Sequence, residues 1–94
     1  MDKRFSIIHD MQKCFVCGRP KEHIHEVFGG TANRKKSILY GLCVGLCGDH
    51  HNMSNRGVHF DKALDRQLKQ IGQRKFEQVF NHNYFMTVFG RNYL

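Results

Sequence analysis

The chain has no tryptophan, a single proline and no apolar run approaching the length of a membrane helix. A bilayer-spanning helix needs about 18–20 consecutive apolar residues, so none is expected here. The opening stretch, MDKRFSIIHDMQK, has no long apolar segment followed by a small-residue cleavage position. No secretory signal is therefore expected, and the expected compartment is cytoplasmic. Repeats and low-complexity segments are also missing, which sets aside solenoids and disordered tails. Acidic residues are scarce: 8 against 15 Lys and Arg, for a net charge of +7. That imbalance favours a polyanionic partner over an acidic substrate.

At 94 residues the chain is expected to form one domain with a modest core. Chains this small often need a staple. Cysteine and histidine supply the candidates. Four cysteines could form two disulfides, but that framework suits secreted chains. A Cys-x-x-Cys pair in a His-rich chain fits zinc better. Cys14-x-x-Cys17 offers two ligands from one turn, and Cys47-x-x-His50 offers two more at the same spacing. Together they make a Cys₃His set for a tetrahedral Zn²⁺. Cys43 lies in an apolar run and is expected in the core. His25, Glu26, His51 and His59 then remain as metal-capable side chains, with His23 and Asn55 nearby.

The pattern along the chain predicts a small α+β domain. Residues 1–13 read as a short helix or an ordered arm. Residues 23–28 (HIHEVF) read as a strand, broken by Gly29-Gly30. Thr31 to Ser37 is polar and basic and reads as a loop. Leu42 to Leu46 reads as a second strand. Gly48-Asp49 opens a helix carrying His50 and His51, ended by Gly57. From Phe60 the period is helical, with Phe60, Leu64, Leu68, Ile71 and Val79 on one face. Lys62, Arg66, Lys69 and Gln73 form a polar, mainly basic face. Asp61 sits at the helix start, and Asn81-His82-Asn83 breaks the helix. Residues 84–89 (YFMTVF) read as a final helical turn whose aromatics join the core.

At Cys14-Phe-Val-Cys17, His25-Glu26-Val-Phe-Gly-Gly, Leu46-Cys47-Gly-Asp-His50-His51 and Val58-His59 the chain resembles the HNH, or ββα-metal, endonucleases in their zinc-stabilised form. It is more specifically similar to small HNH-type proteins of bacterial prophages, through the Asn33-Arg34-Lys35 segment and the Phe-Gly-Arg-Asn-Tyr-Leu end. The resemblance implies a ββα-metal core over residues 14–60, carrying a structural zinc and extended over 60–94 by a long helix and a short terminal helix. It implies a metal-dependent DNA endonuclease that hydrolyses phosphodiester bonds, with phage or recombination proteins as further partners. A catalytic divalent ion such as Mg²⁺ or Mn²⁺ would polarise the scissile phosphate, and an imidazole would take the proton of the attacking water.

Carried onto this chain, His51 is a ligand of that ion, and His59 or Asn55 is another. The family's order would make His25 a ligand and Glu26 the base. A carboxylate is the better ligand for a hard cation and imidazole the better base near neutrality, so His25 is expected as base and Glu26 as ligand. Gly41 stands near the place of the family's middle asparagine, a role that Asn33 could take over. Asn33, Arg34, Lys35 and Lys36 are expected to contact phosphates. The alternative is a non-catalytic, zinc-dependent DNA-binding module.

Overall fold

In the computed structural model, residues 3–94 are described. Six elements follow one another: β1 (His23–Glu26), α1 (Gly30–Tyr40), β2 (Cys43–Leu46), α2 (Gly48–His51), α3 (Lys62–Val79) and α4 (His82–Phe89). The fold is a small α+β arrangement with one two-stranded antiparallel sheet. β1 and β2 pair with His25 opposite Val44 and His23 opposite Leu46. No described helix is long and apolar enough to cross a membrane.

The connection between the strands departs from the expected loop. Thr31 to Ser37 lies inside an eleven-residue helix, α1. Its polar sequence carries little amphipathic signal, which is why it reads as a loop. Yet Ala32, Arg34, Lys35, Lys36 and Leu39 are good helix formers, and no proline or glycine interrupts them. The helix docks through a serine. Ser37 is fully buried; its hydroxyl accepts from the Phe28 N–H at 3.0 Å and donates to the Phe28 carbonyl at 2.8 Å. Gly41 ends α1 in the left-handed region, at φ 73°, where its N–H reaches the Ser37 carbonyl.

All four β2 residues are buried, Cys43 among them, as expected. The N-terminal segment is an ordered arm, not a helix, over its described residues. It is pinned by Ile7 N–H to the Gly41 carbonyl (2.8 Å) and by the Gly45 N–H to His9 Nε2 (3.0 Å). Gly45 suits that packing, because a Cβ there would stand 2.9 Å from the Met11 carbonyl oxygen.

α3 starts at Lys62, two residues after the expected Phe60. The Asp61 carboxylate accepts from the Ala63 and Leu64 N–H groups, a side-chain N-cap. Its buried face is Leu68, Gly72, Gln73 and Phe76. The two ends of the expected apolar stripe are corrected: Phe60 lies before the helix, and both Phe60 and Val79 are exposed. Gln73 is corrected too. Instead of sharing a solvent face with Lys62 and Arg66, it is fully buried. Its amide donates to Asn92 Oδ1 (2.7 Å) and Glu77 Oε2 (2.8 Å), and its carbonyl accepts from the Tyr93 N–H (2.8 Å). A polar side chain can be buried when every hydrogen-bonding group is met, and here Asn92 and Tyr93 of the C-terminal tail and Glu77 of α3 meet them.

Asn81 marks the break between α3 and α4, and its side chain caps α4 by accepting from the Tyr84 N–H (2.7 Å). Phe85 and Phe89 enter the core, as the sequence predicts, but Tyr84 is exposed. Phe28 sits among Phe85, Phe89 and Tyr93, with ring centroids 4.6 to 5.6 Å away. This aromatic cluster holds the helical half against the far end of β1.

Candidate metal centres

Two groups of metal-capable side chains form, one on each side of the short helix α2. The first is Cys14, Cys17, Cys47 and His50, whose donor atoms all lie within 4.8 Å of one another. Cys14 and Cys17 sit on a turn closed by the Gly18 N–H bonding the Cys14 carbonyl (2.9 Å). Cys47 is the N-cap residue of α2, and His50 lies one turn further on. Cys17 Sγ and Cys47 Sγ are 3.7 Å apart; His50 Nδ1 is 3.3 Å from Cys47 Sγ and 3.7 Å from Cys14 Sγ. With Zn–S bonds of about 2.3 Å, two thiolates on one tetrahedral ion stand about 3.8 Å apart, so the spacing fits zinc. The four cysteines are free of disulfides. Arg19 donates to Cys17 Sγ (3.3 Å) and brings that thiol down to about 6, whereas burial raises Cys47. A thiolate is the ligating form, and Arg19 supports it. This cluster could hold a structural metal.

The second group is His25, His51 and His59, again with donor atoms within 4.8 Å of one another. His25 comes from β1 and is buried. His51 is the last residue of α2. His59 is brought back by the returning chain, where the Val58 N–H bonds the His50 carbonyl (2.8 Å) and the His59 N–H bonds the His51 carbonyl (3.3 Å). Gly57 makes that return possible rather than ending the helix, which stops at His51. A Cβ at Gly57 would lie 2.6 Å from the His51 carbonyl oxygen. His59, not the exposed Asn55, is the residue that meets His51: their Nε2 atoms are 3.0 Å apart.

Burial, reinforced by the neighbouring imidazoles of His51 and His59 and by Lys69, pushes His25 down to about 3. Burial, with His59 and His23, lowers His51 to about 4. Both are therefore neutral at pH 7, the form that ligates a metal. His25 Nε2 is buried and has no hydrogen-bond partner. A buried ring nitrogen without a partner is costly unless something else occupies its lone pair. The donor set and this orphaned nitrogen both fit a divalent ion.

Glu26 stands outside this imidazole group. Its carboxylate is not among the mutually close donor atoms, although it lines the same cavity and its charge reaches His51. Glu26 instead accepts from Arg4 Nη1 at 3.2 Å and pairs with Arg34 Nε at 3.6 Å. Both arginines, Glu26 and the three imidazoles line one cavity of about 600 Å³, with Lys69 and Asp65 of α3 on its other wall. Lys69 is held by Asp65 at 2.8 Å.

The basic segment is divided by its helical form, because successive residues on a helix point in different directions. Arg34 reaches the cavity. Lys36 donates to the Val88 carbonyl at 2.7 Å and ties α1 to α4. Lys35 is exposed and Asn33 half-buried. Sequence reasoning left Arg4 and His23 without a role. Nothing in the sequence singles out Arg4, which reaches β1 from the N-terminal arm. His23 does carry a signal, the His-x-His alternation that puts two imidazoles on one strand face.

Comparison with protein-family models, with curated proteins and with solved structures gave no match.

Proposed function

We propose that the protein is a metal-dependent DNA endonuclease of the HNH type, with His25, His51 and His59 holding its divalent ion. The observation that carries this reading is the three-imidazole group opening onto a cavity lined with cations. It stands beside a separate Cys₃His cluster on the same short helix. An antiparallel strand pair, its strands joined by α1, followed directly by a short helix, with donors on the first strand and on that helix, supports the resemblance in the sequence.

The roles of the first-strand pair change from the expectation. His25 stands among the imidazoles and acts as a ligand. Glu26, held by two guanidinium groups, sets the charge of the cavity rim and does not ligate. A bound divalent ion would supply Lewis acidity to a phosphodiester oxygen. Arg4, Arg34 and Lys69 would hold the phosphate backbone against it, contacts that position DNA without reading its sequence. Three nitrogen ligands favour a later transition ion such as Ni²⁺ or Zn²⁺ over Mg²⁺ or Mn²⁺, which prefer oxygen.

Supercoiled plasmid incubated with the protein and each ion in turn tests the reading. Nicked or linear DNA is expected with a transition ion, and His51→Ala should lower the rate more than about 100-fold, beyond the range of outer-sphere changes. Binding of DNA with no cleavage under any ion would favour the zinc-dependent DNA-binding module instead.

A further inference from the structure

A fourth imidazole stands behind the three. His23 Nδ1 lies 2.9 Å from His51 Nδ1, and the two ring centroids are 4.9 Å apart. His51 thus has both nitrogens engaged: Nδ1 by His23 and Nε2 by His59. His23 precedes His25 by two residues on β1, so the strand's period places both on one face, flanking the His51 ring. The centroid of His25 is 5.4 Å from that ring. His23 lies outside the group of mutually close donors and lines a separate, smaller cavity with Lys21, Glu22 and Asn52.

We infer that His23 is a positioning residue for the imidazole centre: its Nδ1 accepts the Nδ1–H of His51 and so leaves His51 Nε2 unprotonated and aimed at the ion. The inference rests on the metal reading of the His25, His51 and His59 group. The argument is one of proton count. A neutral imidazole carries one N–H, and the nitrogen that ligates must be the bare one. His51 Nε2 points at His59 Nε2, within the group that His25 completes. For these lone pairs to converge on one ion, the proton of His51 belongs on Nδ1, and an acceptor must face it. His23 is the group in that place. Metal-bound histidines ordinarily give their other N–H to a carboxylate, a carbonyl or water, and here an imidazole takes that part.

The test uses protein carrying one zinc at the cysteine site, titrated with Zn²⁺ by calorimetry. Wild type is expected to take a second equivalent. His23→Phe keeps the ring's bulk but has no acceptor, and should raise the dissociation constant of the second ion by about 10- to 100-fold. His23→Gln, whose amide oxygen can accept, should recover most of that loss. A role confined to folding would instead lower thermal stability alike in both variants and release the first zinc. A second-site affinity for His23→Phe within about twofold of wild type overturns the inference. Long-range proton–nitrogen NMR of wild type gives an answer that needs neither variant. Protonation of His51 at Nδ1 is expected, and protonation at Nε2 overturns the inference. Should wild type take no second equivalent, the metal reading falls, and the His51 tautomer still decides the hydrogen bond.

Discussion

The two histidine positions at the end of α2, His50 and His51, face different worlds. His50 joins three sulfurs in a cluster that ties the turn at Cys14–Cys17 to the start of α2. His51 joins two imidazoles that open onto a cavity lined by Arg4, Arg34 and Lys69. The sulfur-rich group draws its donors from two short Cys-x-x-Cys/His segments and fits a closed, four-ligand site. The nitrogen group has three donors, one fewer than a closed tetrahedral site, and opens onto a cavity. Adjacent residues on one helical turn point about 100° apart, which is enough to send neighbouring imidazoles into separate centres.

The largest expected effect lies on the sulfur side. Cys47→Ser should release zinc and collapse the far-ultraviolet circular dichroism. Structural zinc in small domains contributes on the order of 10 kcal/mol to folding. A folded, zinc-free variant would mean that the aromatic core alone suffices.

Gly57→Ala should act on the other side only. The added methyl group meets the His51 carbonyl, so the return of His59 is displaced. Binding of the second ion should weaken about tenfold while the first zinc stays, as metal titration would show. Equal loss of both ions would join the two centres into one cooperative unit.

Acid separates them more finely. The folded values of His25 and His51, about 3 and about 4, lie below the ordinary histidine value of about 6.5. Below that ordinary value the unfolded chain binds protons that these folded imidazoles refuse. Stability from this source is therefore full above about pH 6.5 and falls as the pH drops toward 4 and then 3. In protein with zinc only at the cysteine site, urea midpoints measured from pH 7 to 5 should decline. His51→Ala should flatten that decline; an unchanged slope would place the proton linkage elsewhere. The smallest effect is expected at Cys43→Ala, where zinc content should stay at the wild-type value, because Cys43 lies outside both donor groups.

Much of this was legible in the sequence. The two three-residue spacings name the Cys₃His set outright, since ligand spacing is local. The two short apolar strand segments, Asp61 at the start of α3 and the Asn81 break are local signals as well. The errors share a cause. α1 was hidden because its buried contact is one serine bonded to Phe28, which leaves no hydrophobic period. Gln73 reads as solvent-facing because its partners in the tail, Asn92 and Tyr93, lie about twenty residues away in the chain. The Glu26 carboxylate, which the sequence offers as a hard-cation ligand, lies outside the mutually close donors and pairs with Arg4 and Arg34, a tertiary arrangement that no local signal reports. His23 was within reach through its alternation with His25. Arg4 was not, since only tertiary packing of the arm brings it to Glu26.

The division between His50 and His51 is tested most directly by metal analysis of two single variants, with circular dichroism on the same samples. His51→Ala should keep the native spectrum and one equivalent of zinc while losing the second ion. His50→Ala should lose zinc and fold together. Identical outcomes for the two variants, or loss of zinc and fold in His51→Ala, would contradict the account.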